Sequence, residues 1–161
     1  MLKWLSLSLM VILLDQASKA IATSFLVIFN PVPLFPSFNL TLMHNEGAAF
    51  SFLSDAGGWQ RWFFAILASI VSIAIVIWMK KLKEHEKATA VALGLILGGA
   101  LGNLIDRVRF GYVVDFIDVY YGTAHWPAFN IADSAITLGA AIMIIASFKR
   151  NKEQEKNETT N

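Results

Sequence analysis

The chain has no cysteine, which excludes thiolate nucleophiles, disulfides and cysteine-bound metals. Charge is also scarce. Only 16% of the 161 residues are charged and the formal net charge is +1, so there is no basic field to hold a nucleic acid. The three histidines, His44, His85 and His125, fall in three separate loops and make no metal-ligand cluster. What is plentiful is apolar surface: 56% of residues are hydrophobic and the mean hydropathy is +0.56. That is the composition of a membrane protein of one domain.

Four stretches are long enough to span a bilayer, at about 4–22, 62–79, 88–105 and 131–148. The first imitates a cleavable signal peptide, with Lys3, an apolar run and a small-x-small ending at Ala20-Ile21-Ala22. Asp15 interrupts its apolar core, Lys19 follows one turn later, and three more spans make a leader unnecessary. It therefore reads as a retained membrane helix. Lys3 precedes the first span, Lys80, Lys81, Lys83 and Lys87 mark the 80–87 turn, and Lys149, Arg150, Lys152 and Lys156 follow the fourth span, whereas the two long loops carry only Arg61, Arg107 and Arg109 at their edges. Both termini and the 80–87 turn are thus expected in the cytoplasm and the long loops outside. Residues 1–150 make a single integral membrane domain, and 151–161 read as a disordered cytoplasmic tail. Within the loops, 38–53 and 110–121 carry β-forming texture suited to a small external platform, and Pro31, Pro33 and Pro36 mark an irregular run before it.

Four of the six aspartates, Asp15, Asp106, Asp115 and Asp133, lie in or against these apolar segments. Carboxylates are costly there and usually have a task. Asp15 and Lys19 share a helix face, with Asp106 or Arg107 as candidate partners at similar depth. Gly94, Gly98, Gly99 and Gly102 offer small-xxx-small packing that would pin Asn103, Asp106 and Arg107 at one helix end. Asp115 is framed by Val114 and Phe116, and Asp133 follows Asn130 in a pattern that resembles a capping box. Asp133 is therefore either a helix cap or, with Asp115, half of an acid/base pair; eighteen residues separate the two. Asp118 reads as an ordinary loop acid. Ser18 beside Lys19 and Ser134 beside Asp133 point about 100° apart on a helix and make poor nucleophile–base pairs. A proton-coupled carrier or channel subunit is the rival reading, and a structural assembly subunit packed through its glycines is another.

Five motifs occur in order: Asp15-Gln16-x-x-Lys19, Asn45-x-Gly47-Ala48-Ala49-Phe50, Gly98-Gly99-x-x-Gly102-Asn103-x-x-Asp106-Arg107, Val113-Val114-Asp115-Phe116, and Phe129-Asn130-x-Ala132-Asp133. Through them nearly the whole chain resembles the bacterial type II (lipoprotein) signal peptidases. The resemblance implies an all-α polytopic membrane protein with four transmembrane helices, a small external β-cradle and a short outer amphipathic helix. It implies an aspartic endopeptidase, free of metal and cofactor, that removes the signal peptide from diacylglyceryl-modified prolipoproteins immediately before the lipidated cysteine. Asp115 and Asp133 would be the catalytic pair. Asp15, Lys19, Asn45, Gly47, Asn103, Asp106, Arg107 and Asn130 would support the site or contact substrate, Arg107 either by pairing with Asp15 or by anchoring a polar group. It further implies a monomer in the bacterial inner membrane, membrane phospholipid as a partner, and inhibition by globomycin-type cyclic peptides.

Overall fold

A computed structural model describes residues 2–47 and 59–158, with side chains through residue 148. Four long helices dominate it: α1 (Leu5–Phe25), entered by a short 3-10 turn at Leu2–Trp4, α2 (Trp59–Lys81), α3 (Lys87–Arg109) and α4 (Ile131–Glu158). Each contains a segment long and apolar enough to cross a membrane. Much of the apolar surface of α1, α2 and α4 faces outward, as at Leu13, Ile21, Ile66, Ile73 and Ile144. In water this would be a liability; in a bilayer it is the lipid-facing wall.

The third helix is the axis of the bundle and touches the other three. Its glycines explain how closely. A methyl group added at Gly98 would come within 2.7 Å of Val11 Cβ, and one at Gly102 within 2.7 Å of Asp15 Oδ2. At Gly99 it would overlap the Ala132 carbonyl oxygen of α4. Gly139 plays the same part from α4, where an added methyl would lie 2.7 Å from Ala92 O. Backbone-to-backbone contact of this kind replaces hydrophobic driving force inside lipid. Below this level Met79, Leu93 and Leu97 fill an apolar core.

One end of the bundle carries a four-stranded antiparallel sheet in the order β1 (Val32–Phe35), β2 (Phe38–Asn45), β3 (Val113–Tyr121), β4 (Ala124–His125). The proline run read as irregular holds the edge strand β1, where Pro33 is tolerated because an edge needs no second ladder. Two further bonds anchor the sheet. Val114 N donates to Asp106 Oδ2 at 3.1 Å, and an isolated bridge joins Ile117 to Phe129. That bridge brings the start of α4 alongside β3.

The tail differs from the expectation. Helix α4 continues to Glu158, through most of the tail read as disordered, because its Lys, Glu and Gln residues are good helix formers. The β-forming texture of 38–53 and 110–121 is realised as strand at Phe38–Asn45 and Val113–Tyr121; Ala48, Ala49 and Phe50 lie outside the described residues, among which no separate outer helix occurs.

Candidate active site

Asp115 projects from β3, 2% exposed, between the buried Val114 and Phe116. Its Oδ2 accepts a hydrogen bond from Asn45 Nδ2 at 3.0 Å and its Oδ1 one from Asn130 Nδ2 at 2.6 Å. Asp133, in the first turn of α4, accepts through Oδ1 from Asn103 Nδ2 at 2.8 Å. Asn130 Nδ2 also reaches Asn103 Oδ1 at 3.2 Å. The two aspartates are thus joined by a pair of asparagines.

The orientation of these amides is imposed by chemistry. Asn130 Oδ1 accepts from Asp133 N at 2.9 Å, an N-cap bond to an otherwise orphaned helix donor. Asn45 Oδ1 accepts from Gly47 N at 2.9 Å. Asn103 Oδ1 faces Lys19 Nζ at 2.9 Å, and an ammonium can only donate. Each oxygen is committed to a donor, so each amino group must turn toward a carboxyl. Gly47 is needed for its part: its φ is +105°, and a Cβ there would come within 2.7 Å of the Phe64 ring.

Beneath this layer Lys19 is itself buried, 3% exposed, between Asp15 Oδ2 at 2.9 Å and Asp106 Oδ2 at 2.8 Å. The remaining acceptor capacity is met locally. Ala132 N donates to Asp15 Oδ1 at 2.9 Å, and Gln16 Nε2 donates to Asp106 Oδ1 at 2.8 Å. Full satisfaction is what makes such a buried cluster tolerable. It also ties α1, α3, the start of α4 and β3 together in one network.

Burial pushes the Asp115 carboxyl up to about 7, helped by the negative charge of Asp133 and opposed by the bonds from Asn45 and Asn130 and by the charge of Lys19. A carboxyl poised near neutrality beside a second one can exchange protons with a reactant.

Asp15, Lys19, Asn45, Gly47, Asn103, Asp106 and Asn130 all lie in or directly under this arrangement. Arg107 does not pair with Asp15, one of the two roles expected for it; Lys19 occupies that place. Its guanidinium instead donates to Asn103 O at 3.3 Å and stacks over Phe64 with Cζ 5.3 Å from the ring centre. The capping box is half formed. Asn130 caps the helix, while the bond recorded for the Asp133 side chain comes from Asn103.

Asp118 is not an ordinary loop acid. It is 3% exposed in β3 and accepts from Thr41 Oγ1 at 2.9 Å, from Asn39 Nδ2 at 3.2 Å and from His125 Nδ1 at 2.7 Å. Its pKa is lowered, these bonds outweighing burial. Three residues from Asp115 along a strand, it points to the opposite face; the alternation was the signal available. His44 and His125 likewise sit in strands, and His44 stacks on Tyr112 at 3.9 Å. Gln16, a motif position to which the sequence assigned no role, belongs to the lysine cluster through its bond to Asp106.

Residues 7–149 match the family model described as signal peptidase II. The lipoprotein signal peptidase of Acinetobacter baumannii is 58% identical over 96% of this chain and 88% of its own. That of Teredinibacter turnerae is 57% identical over 89% and 85%. A solved bacterial membrane enzyme, crystallised in meso and determined at 2.3 Å, superposes with a TM-score of 0.83 at 37% identity, covering 94% of this chain and 90% of that one. Four membrane-length helices, an asparagine-linked aspartate pair and these similarities over nearly the full chain agree: the chain belongs to the signal peptidase II family of membrane proteases.

Proposed function

We propose that the protein is a metal-independent aspartic endopeptidase that removes the signal peptide from diacylglyceryl-modified prolipoproteins, cutting immediately before the lipidated cysteine. The observation that carries this reading is the convergence of Asp115 and Asp133 on amides whose orientation is imposed by their other partners. One carboxyl takes a proton from water as the water attacks the peptide carbonyl. The other, protonated, donates to the carbonyl oxygen, and the proton then passes to the departing amine. Asn45 and Asn130 hold Asp115, Asn103 holds Asp133, and Lys19 acts through Asn103 as a positioning residue.

The substrate suits the setting. A lipid-bearing precursor arrives within the bilayer plane and meets the pair at the end of the bundle that carries the sheet. In this reading that end lies on the outer face of the inner membrane with both termini in the cytoplasm, an orientation that the lysine and arginine distribution supports. Membrane phospholipid surrounds the helices, the enzyme works as a monomer, and globomycin-type cyclic peptides inhibit it by occupying the site. Asp106, Asp115 and Asp133 gather at one end, with Asp15 linked to them through Lys19, whereas a proton carrier needs acids at several depths.

The test is processing of a diacylglyceryl-modified precursor by purified protein in liposomes, read by mass spectrometry. Asp115→Asn and Asp133→Asn should each abolish cleavage while the protein remains folded, and a chelator should leave the wild-type rate unchanged. Normal cleavage by either folded variant refutes the dyad, and a metal-reversible loss refutes the metal-free route.

A further inference from the structure

Beside Asp115 the sheet and its adjoining loops border an open-sided cavity of about 310 Å3, at the small end of the range for ligand pockets. Phe29, Met43, His44, Glu46 and Pro127 line it together with Asp115. Among the described residues, its lining comes from β2, β3 and the connections outside the helices, with no contribution from a membrane-spanning segment. The ionisable groups in that described lining are Asp115, Glu46 and His44, without a lysine or arginine.

This position decides which part of a substrate can enter. A precursor cut beside Asp115 keeps its apolar signal segment among the helices. Its lipidated residue is held at the bilayer by the acyl chains, so the next residue is the first free to turn toward the sheet. We infer that this cavity receives the residue that follows the lipidated one, and that Glu46 makes it favour a cationic over an anionic side chain there. The inference rests on the proposed peptidase function. Glu46 is exposed, so its effect is that of a partly screened charge: roughly fivefold between the two substrate types. It is a specificity residue, separate from the pair that would perform the chemistry.

The experiment uses the purified full-length protein in detergent and three diacylglyceryl-modified precursor peptides, identical except for Lys, Gln or Asp at the second position after the cut. The kcat/KM of each is measured by mass spectrometry. The Lys precursor should exceed the Asp precursor by roughly fivefold, a ratio that shrinks as salt is raised. Glu46→Gln should bring the ratio close to one, and Glu46→Lys should invert it. Glu84→Gln, in the turn between α2 and α3, removes the same charge far from the cavity and should keep the wild-type ratio. Equal kcat/KM for the Lys and Asp precursors, or a ratio that Glu46→Gln leaves intact, overturns the role of Glu46 while cleavage stands. Failure to cleave any of the three overturns the peptidase reading beneath it.

Discussion

Replacing Asp115 by asparagine should stabilise the protein in alkali, relative to the wild type, while it abolishes cleavage, and the size of the effect follows from the site. The carboxyl is raised from 3.8 to about 7 by burial and by Asp133. A group whose pKa is raised on folding contributes stability that is complete below its unfolded value and is lost as pH climbs through the folded value. The window therefore runs from about pH 4 to pH 7. Each unit inside it costs about 1.4 kcal/mol, so the wild type should lose about 3 kcal/mol of stability through Asp115 between pH 5 and pH 9. The amide that Asp115→Asn introduces carries no such charge. One of its two polar atoms must face an amide donor from Asn45 or Asn130 with a donor of its own, a mismatch of about 1–3 kcal/mol that is independent of pH. Because the wild type has already lost roughly 1.5 kcal/mol by pH 5, the variant should be close to it in stability there and gain on it by about 3 kcal/mol by pH 9. Unfolding of both proteins in matched micelles, followed by tryptophan fluorescence at pH 5, 7 and 9, measures the difference. Parallel stability curves would show that Asp115 is not held in a desolvated, like-charged site, and the proton-sharing pair would fall with it.

Lys19→Met leaves Asp15 and Asp106 buried without their shared cation and should cost about 3–5 kcal/mol, read by denaturant unfolding at pH 7; a cost under 1 kcal/mol would refute the bridging role. Gly99→Ala forces the Ala132 backbone away from α3 and stretches the Asn103–Asp133 bond. It should cost about 3 kcal/mol and lower kcat, whereas an unaltered melting temperature would mean the helices are not in backbone contact. Asp118→Asn should retain cleavage, since Asp118 faces away from the pair, but lose about 1–2 kcal/mol with its charged hydrogen bonds. Because the pKa of Asp118 is lowered, that stability is present above the unfolded value and disappears as pH falls through the folded one. The variant should therefore melt less acid-sensitively than the wild type, and a loss of cleavage in a folded Asp118→Asn protein would show that the two strand faces communicate.

Hydropathy is a local property, and so the four spans, the absence of thiol chemistry and the apolar setting of Asp115 were all readable along the chain. The small-residue spacing in the third helix likewise announced close packing, which Gly98, Gly99 and Gly102 realise against α1 and α4. Alternation in β3 could have separated Asp118 from Asp115, but strand period had to be weighed against loop-like neighbours. Partner choice was different. Asp106 and Arg107 stood as equal candidates for Asp15, and only the helix rotations decided that Lys19 would bridge two acids while Arg107 turned to Phe64.

The sequence by itself determined that this is a membrane-embedded chain with four spans and a set of ordered acidic and asparagine motifs. Tertiary structure decided that Asp115 and Asp133 share one network and which way every amide in it points. The reason is the range of the contacts. The Ile117–Phe129 bridge carries Asn130 to β3, Asp106 holds Val114, and Asp15 bonds the amide of Ala132 across 117 residues. No periodicity within one helix or strand encodes such bonds, because their partners meet only after separate elements have packed.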